Sequence, residues 1–158
     1  MSIVLNDEKI IGMVSEYNGM PVSFDCILYA CIQGGFKKIS PALFGSAVLI
    51  GGAAGGGLAG AAGALTNDFA VLVFGGSTIS FYVFNKLGTK ISSRYDIPLD
   101  QLSRMKKRKF LIWNTLKLYF KEKGKIKLTI SDKTVGIKKQ GENVGIFLRM
   151  LNEYFQGA

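Results

Sequence analysis

The sequence predicts an α+β or mainly β fold: an antiparallel sheet closed by a C-terminal amphipathic helix, with a Gly/Ala-rich helical segment before it. Three observations carry this. Apolar and polar residues alternate strictly from Thr115 to Ile130, apolar residues recur at helical spacing from Glu142 to Phe155, and residues 39–67 run without a single charge. Charge is divided along the same lines. Residues 86–158 hold 17 Lys and Arg against 6 Asp and Glu, whereas residues 1–85 hold 3 against 5, which together give the net +9 of the 158-residue chain. This length accommodates one domain of roughly 100 residues plus an appendage. The expected organisation is residues 1–38 as N-terminal strand or strands joining the domain, 39–68 as a glycine-zipper-like apolar segment, and 69–158 as the basic domain.

The opening MSIVLNDEKI has no basic stretch followed by an apolar one, so it does not read as a cleaved secretory signal, and synthesis in the cytoplasm is expected. Cys26 and Cys31 lie in the apolar run CILYACI. Their C-x4-C spacing is wrong for a zinc knuckle, and the expectation is two reduced core thiols.

In the apolar middle, Gly52, Gly56 and Gly60 recur every four residues, with Gly55 and Gly63 in a second row. On a helix such rows form a ridge of small residues that lets two helices approach closely in lipid. In water each glycine weakens a helix by about 0.5–1 kcal/mol relative to Ala, so a helix here requires an apolar or packed setting. The 23 residues from Leu43 to Leu65 would span about 34 Å as a helix, close to the roughly 30 Å of a hydrocarbon core. A second uncharged run, Phe69 to Asn85, reads either as another span or, from its β-branched and aromatic residues around Gly75-Gly76, as two strands joined by a turn. Gly55, Gly57 and Gly60 also satisfy G-x-G-x-x-G. No acidic residue follows the next candidate strand and no strand–helix alternation follows, so dinucleotide binding is not expected and no cofactor is assigned.

In the basic half, Leu116, Leu118 and Phe120 face one way while Thr115, Lys117, Tyr119 and Lys121 face the other. After the turn Glu122-Lys123-Gly124-Lys125 the alternation resumes with Ile126, Leu128 and Ile130 inward. Ser131-Asp132-Lys133 then turns the chain into TVGIKK, which reads as the third strand of a meander. The solvent face carries Lys117, Lys121, Lys125 and Lys127. Phe147, Met150, Leu151 and Tyr154 form the apolar stripe of the closing helix. Upstream, Pro98 lacks a ladder donor, which places the run Tyr95 to Leu102 at a strand end or edge.

The segments FYVFNKLGTKIS and RYDIPLDQLSRM, followed by a lysine-rich hairpin and a terminal helix, resemble bacterial pleckstrin-homology-like and GRAM-like domains. The likeness rests on Asn85-Lys86, on Ile97-Pro98-Leu99 and on Leu102, and covers about residues 69–155. It implies a barrel of antiparallel strands capped by one helix, an opening strand from EKIIGMVSEY, and an apolar hairpin before the domain. In that arrangement residues 43–65 are an inserted or packed helical hairpin and residues 69–84 are barrel strands.

Arg104, Lys106, Lys107, Arg108 and Lys109 place five cations in six residues, just before Phe110 and Trp113. Near an anionic leaflet each is worth about 1 kcal/mol, and aromatics settle at headgroup level. Together with Trp113, Lys117 and Lys121 they form the candidate lipid- or anion-binding set. The absence of histidine removes the commonest general base and metal ligand. Asp96 and Asp100 stand apart, so neither a catalytic constellation nor a metal site is expected. The sequence reads as a noncatalytic module at the inner face of the membrane, contacting anionic headgroups or a protein partner. The alternative is a membrane protein that self-assembles through residues 39–67. Nucleic acid is disfavoured because no recognition helix or stacking platform is legible.

Overall fold

The computed structural model describes residues 5–33, 49–50, 67–122 and 124–157. The helical reading of residues 39–67, with Gly52, Gly55, Gly56, Gly60 and Gly63, falls outside them except at Leu49, Ile50 and Asn67, and Leu49-Ile50 is a short strand paired with Tyr95 and Arg94, not part of a helix. Two α-helices, eight strands and one 3-10 turn (Leu99–Gln101, between β5 and β6) are described: α1 (Asp7–Asn18), β1 (Cys26–Ile32), β2 (Leu49–Ile50), β3 (Asp68–Gly75), β4 (Thr78–Phe84), β5 (Ile91–Pro98), β6 (Leu102–Phe110), β7 (Trp113–Phe120), β8 (Lys125–Ser131) and α2 (Gln140–Gly157). The strands form one antiparallel sheet in the order β2-β5-β4-β3-β1-β8-β7-β6.

The segment EKIIGMVSEY is helical, not the opening strand that the resemblance implied. Asn6 caps it by accepting from the Lys9 N–H at 2.8 Å, and Asp7 and Glu8 complement the positive helix end. Gly19, at φ 73°, ends it in the left-handed conformation. Ile10 and Val14 lie one turn apart and are buried. The strand expected within residues 1–38 is instead CILYACI, which pairs with β3 along its whole length.

The run from Phe69 to Phe84 is a hairpin of two strands, turned at Gly76 with φ 62°. Among the described residues no helix is long and apolar enough to cross a membrane.

Both faces of the β1–β3–β4 region are covered. Cys26, Leu28, Ala30 and Ile32 of β1 meet Val144, Phe147 and Leu151 of α2 in a cluster that also takes in Phe81, Ile97, Leu116, Leu118, Ile126 and Leu128. On the other face, Ile27, Val71, Val73, Tyr82 and Phe84 pack with Ile10 and Val14 of α1. Two-sided burial explains why β1 and β3 read as continuous apolar runs without alternation.

The expected strand TVGIKK is a pair of turns held by the isolated bridge Thr134–Ile137. Gly136 adopts φ 85°, and the two carboxylate oxygens of Asp7 accept the N–H groups of Lys138 and Lys139 at 2.9 and 3.1 Å. These contacts draw the segment to the start of α1, away from the sheet. The third strand of the basic meander is β6, upstream of the other two.

Candidate functional site

Strands β6, β7 and β8 pair in sequence order as a meander. One face is fixed by burial: Leu116, Leu118, Phe120, Ile126, Leu128 and Ile130 all enter the core. Period-two geometry then sends the intervening residues to the opposite face. α1 packs over the neighbouring half of that side of the sheet, against residues of β1, β3, β4 and β5.

The register shows what gathers there. Arg104, Tyr119 and Lys125 form one row across the three strands, and Lys106, Lys117 and Lys127 form the next. Arg108, Thr115 and Thr129 form a third, and Phe110, Trp113 and Ser131 a fourth. Six cations therefore share one face. None of the three strands contains an Asp or Glu.

Tyr119 lies among these charges. The Arg104 guanidinium is 4.3 Å from its ring centroid, Lys125 Nζ is 5.8 Å away and Lys106 Nζ 6.0 Å away. The ring's negative face moderates the repulsion in that row. In the lysine row only Lys106 comes near that ring. Like charges directly opposite one another across strands destabilise a sheet by up to about 1 kcal/mol per pair, and here three stand in line. A bound anion would relieve that repulsion.

The expected site residues divide between two faces. Arg104, Lys106, Arg108, Trp113 and Lys117 belong to the cationic face. Lys107 and Lys109 alternate to the other side of β6, where Lys109 Nζ sits 3.0 Å from Asp132 Oδ2. Asp132 Oδ1 also accepts from the buried Asn114 amide at 2.7 Å, which ties the base of the hairpin to the end of β8. Lys121 is exposed just beyond β7, its backbone N–H bonded to the Gln101 carbonyl at 2.9 Å. Lys125 and Lys127 complete the cationic face. They were absent from the expected set, although the alternation of β8 placed them beside Lys117.

Two further features carry no comparable chemistry. A cleft of ≈ 360 Å³ lies beside the end of α1, lined by Asn18, Ser80, Tyr82 and Arg94 among others. Its Arg94 is already engaged, donating to Asp96 Oδ1 at 2.9 Å and Asn18 Oδ1 at 3.0 Å, with its guanidinium 5.2 Å from the Tyr82 ring centroid. The two cysteines occupy positions of opposite parity on β1, so their side chains point to opposite faces. Burial pushes the Cys26 thiol up to about 12, with the nearby Asp25 adding to the shift, and burial also raises Cys31. Thiols held protonated are poor nucleophiles at neutral pH. Among the described residues no group of three or more His, Cys, Asp or Glu gathers to hold a metal. In comparisons with known proteins, no family model, curated protein or solved structure matches the chain.

Proposed function

We propose that this chain is a noncatalytic binding module whose β6–β7–β8 face contacts the anionic headgroups of a membrane surface. The observation that carries the reading is the all-lysine row Lys106–Lys117–Lys127, on strands without an Asp or Glu and flanked by Arg104, Lys125 and Arg108 on the same face. Such an array suits a planar, multivalent anion such as a bilayer leaflet, because the charges lie on one surface and not around a pocket. Support at the level of fold comes from the resemblance to pleckstrin-homology-like domains, which implies an antiparallel barrel with one closing helix. Here seven longer antiparallel strands are followed by α2. In this proposal the protein works at the inner face of the membrane, and an acidic protein is the competing occupant of the same face.

The test is flotation of the full-length chain with vesicles of phosphatidylcholine alone and with phosphatidylserine added, over a series of salt concentrations. Binding that needs phosphatidylserine and weakens as salt rises is expected. Replacing Lys106, Lys117 and Lys127 together by Gln should weaken it on the order of a hundredfold, at about 1 kcal/mol per cation. Equal binding of the triple variant and the native chain would overturn the reading.

A further inference from the structure

The hairpin joining β6 to β7 ends in four consecutive large apolar residues. Phe110 is 72% exposed, Leu111 74%, Ile112 37% and Trp113 49%. Phe110 and Trp113 are the last register pair, so Leu111-Ile112 is a two-residue loop. Loops of that length favour Asn-Gly or Gly-X, because their first residue takes positive φ. Here that position is Leu111, at φ 56°. A leucine in the left-handed region is costly, and its exposed side chain gains no core burial to offset that cost.

We infer that this tip, Phe110-Leu111-Ile112-Trp113, inserts into the interfacial layer of an anionic bilayer while the cations behind it contact the headgroups. The inference deepens the anionic-surface reading and rests on it. Charge complementarity selects the occupant: Arg108 lies two residues before Phe110, and Lys106 and Lys117 lie further along the same face of the hairpin, while Lys109 on the other side is paired with Asp132. At about 3.4 Å per residue, Arg108 sits roughly 7 Å behind Phe110. Interfacial elements bury their apolar side about 5–10 Å, so a seated tip leaves Arg108 level with the phosphates. Phe and Trp suit that depth, with the indole N–H directed to the polar layer.

The backbone is compatible with shallow burial. The Ile112 carbonyl already accepts from the Asp132 N–H at 2.8 Å, and Phe110 pairs with Trp113, so few polar groups enter apolar surroundings unmatched. A protein groove would also accept an apolar tip. It would not by itself account for a collar of cations on both strands of the same hairpin.

Trp113 is the only tryptophan in the chain, so the native protein carries its own probe. Full-length protein is titrated with phosphatidylcholine/phosphatidylserine vesicles while Trp113 emission is recorded, and then with vesicles containing phosphatidylcholine brominated at a shallow or a deep acyl position. A blue shift with stronger quenching by the shallow bromine is expected. Phe110→Ser and Leu111→Gly should each weaken vesicle binding about tenfold and make the remainder fully removable by salt, with circular dichroism unchanged. Salt-sensitive flotation with unshifted, unquenched Trp113 would overturn insertion and leave the charge reading standing. No flotation with phosphatidylserine vesicles would overturn both.

Discussion

The side-chain amide of Gln140 makes both backbone hydrogen bonds of Tyr29: its Oε1 accepts the Tyr29 N–H at 3.0 Å and its Nε2 donates to the Tyr29 carbonyl at 2.8 Å. The same Nε2 donates to the Ser131 carbonyl at 3.1 Å, and Gln140 is fully buried. β1 and β8 pair only at Cys31–Thr129 and Ile32–Leu128, so the first residue of α2 fills the ladder where the strands diverge. Gln140→Leu, which takes the side-chain partner from three part-buried backbone groups, should lower the unfolding free energy by about 2–4 kcal/mol in urea titrations. Gln140→Glu removes the donor but keeps the acceptor, and its carboxylate would face two carbonyls. Its folded-state pKa would stand above the unfolded value of about 4.3, so stability should be highest below that pH and fall as pH rises. A flat pH profile for this variant would count against the arrangement.

Lys117 stands between Lys106 and Lys127 in the cationic row. Lys117→Gln should therefore stabilise the fold by about 0.2–1 kcal/mol at low salt, a gap that closes as ionic strength rises. Paired urea melts at low and high salt read this directly. Under the proposed function the same substitution would raise stability and lower affinity.

Leu111→Gly exchanges a strained leucine for the residue the turn prefers. Relief of about 1–2 kcal/mol, less the extra chain entropy of glycine, leaves a gain of about 0.5–1 kcal/mol. Differential scanning calorimetry should show a higher Tm for this variant. A lower Tm would mean that Leu111 contributes to the fold itself.

Glycines at three positions should respond differently to a methyl group. At Gly136 a Cβ would lie 2.1 Å from the Leu5 carbonyl oxygen, and φ is 85°. Gly136→Ala should cost about 2–4 kcal/mol and loosen the start of α1. Gly12 and Gly145 lie within the two helices with nothing within 4 Å of a built Cβ. Gly12→Ala and Gly145→Ala should each add up to about 1 kcal/mol. Chemical denaturation of the three variants side by side separates these outcomes.

The Cys26 thiol, pushed up to about 12 chiefly by burial, stays protonated in the folded chain well above the ordinary thiol range. Its folded pKa exceeds the unfolded one, so its contribution is complete below about pH 9 and is lost as pH climbs towards 12. Tyr29 and Tyr95, both raised by burial, act in the same direction. Unfolding free energy measured from pH 7 to 11 should fall, and Cys26→Ala should flatten part of that slope. Thiol titration of the native protein at pH 8 should find Cys26 unreactive until denaturant is added.

Strands β7 and β8 were legible because each buries one face and wets the other, so their sequences keep the period of two. β6 was not. Its charges occupy both faces, since Lys107 and Lys109 lie on the side opposite Arg104, Lys106 and Arg108, and only Leu102 is fully buried. The sequence therefore showed a run of cations without showing that only alternate ones share a face. α1 was hidden for a different reason: its buried residues are few, and its clearest signals are Asn6 and Gly19 at its ends. The apolar tip was visible as Phe110 and Trp113, but its exposure follows only from the register that makes Leu111-Ile112 the loop.

β6 is the outermost strand of the sheet, nine residues long, and no described strand lies beyond it. An edge of that length, outermost among the described strands, is a template for another chain, and a second copy approaching it meets five like charges with five of its own. Three of those cations, Arg104, Lys106 and Arg108, also lie on the face proposed to meet a membrane. Neutralising Lys106 in a test of attachment therefore also removes one of the charges that guard the edge, and such a variant should aggregate sooner as protein concentration or salt rises.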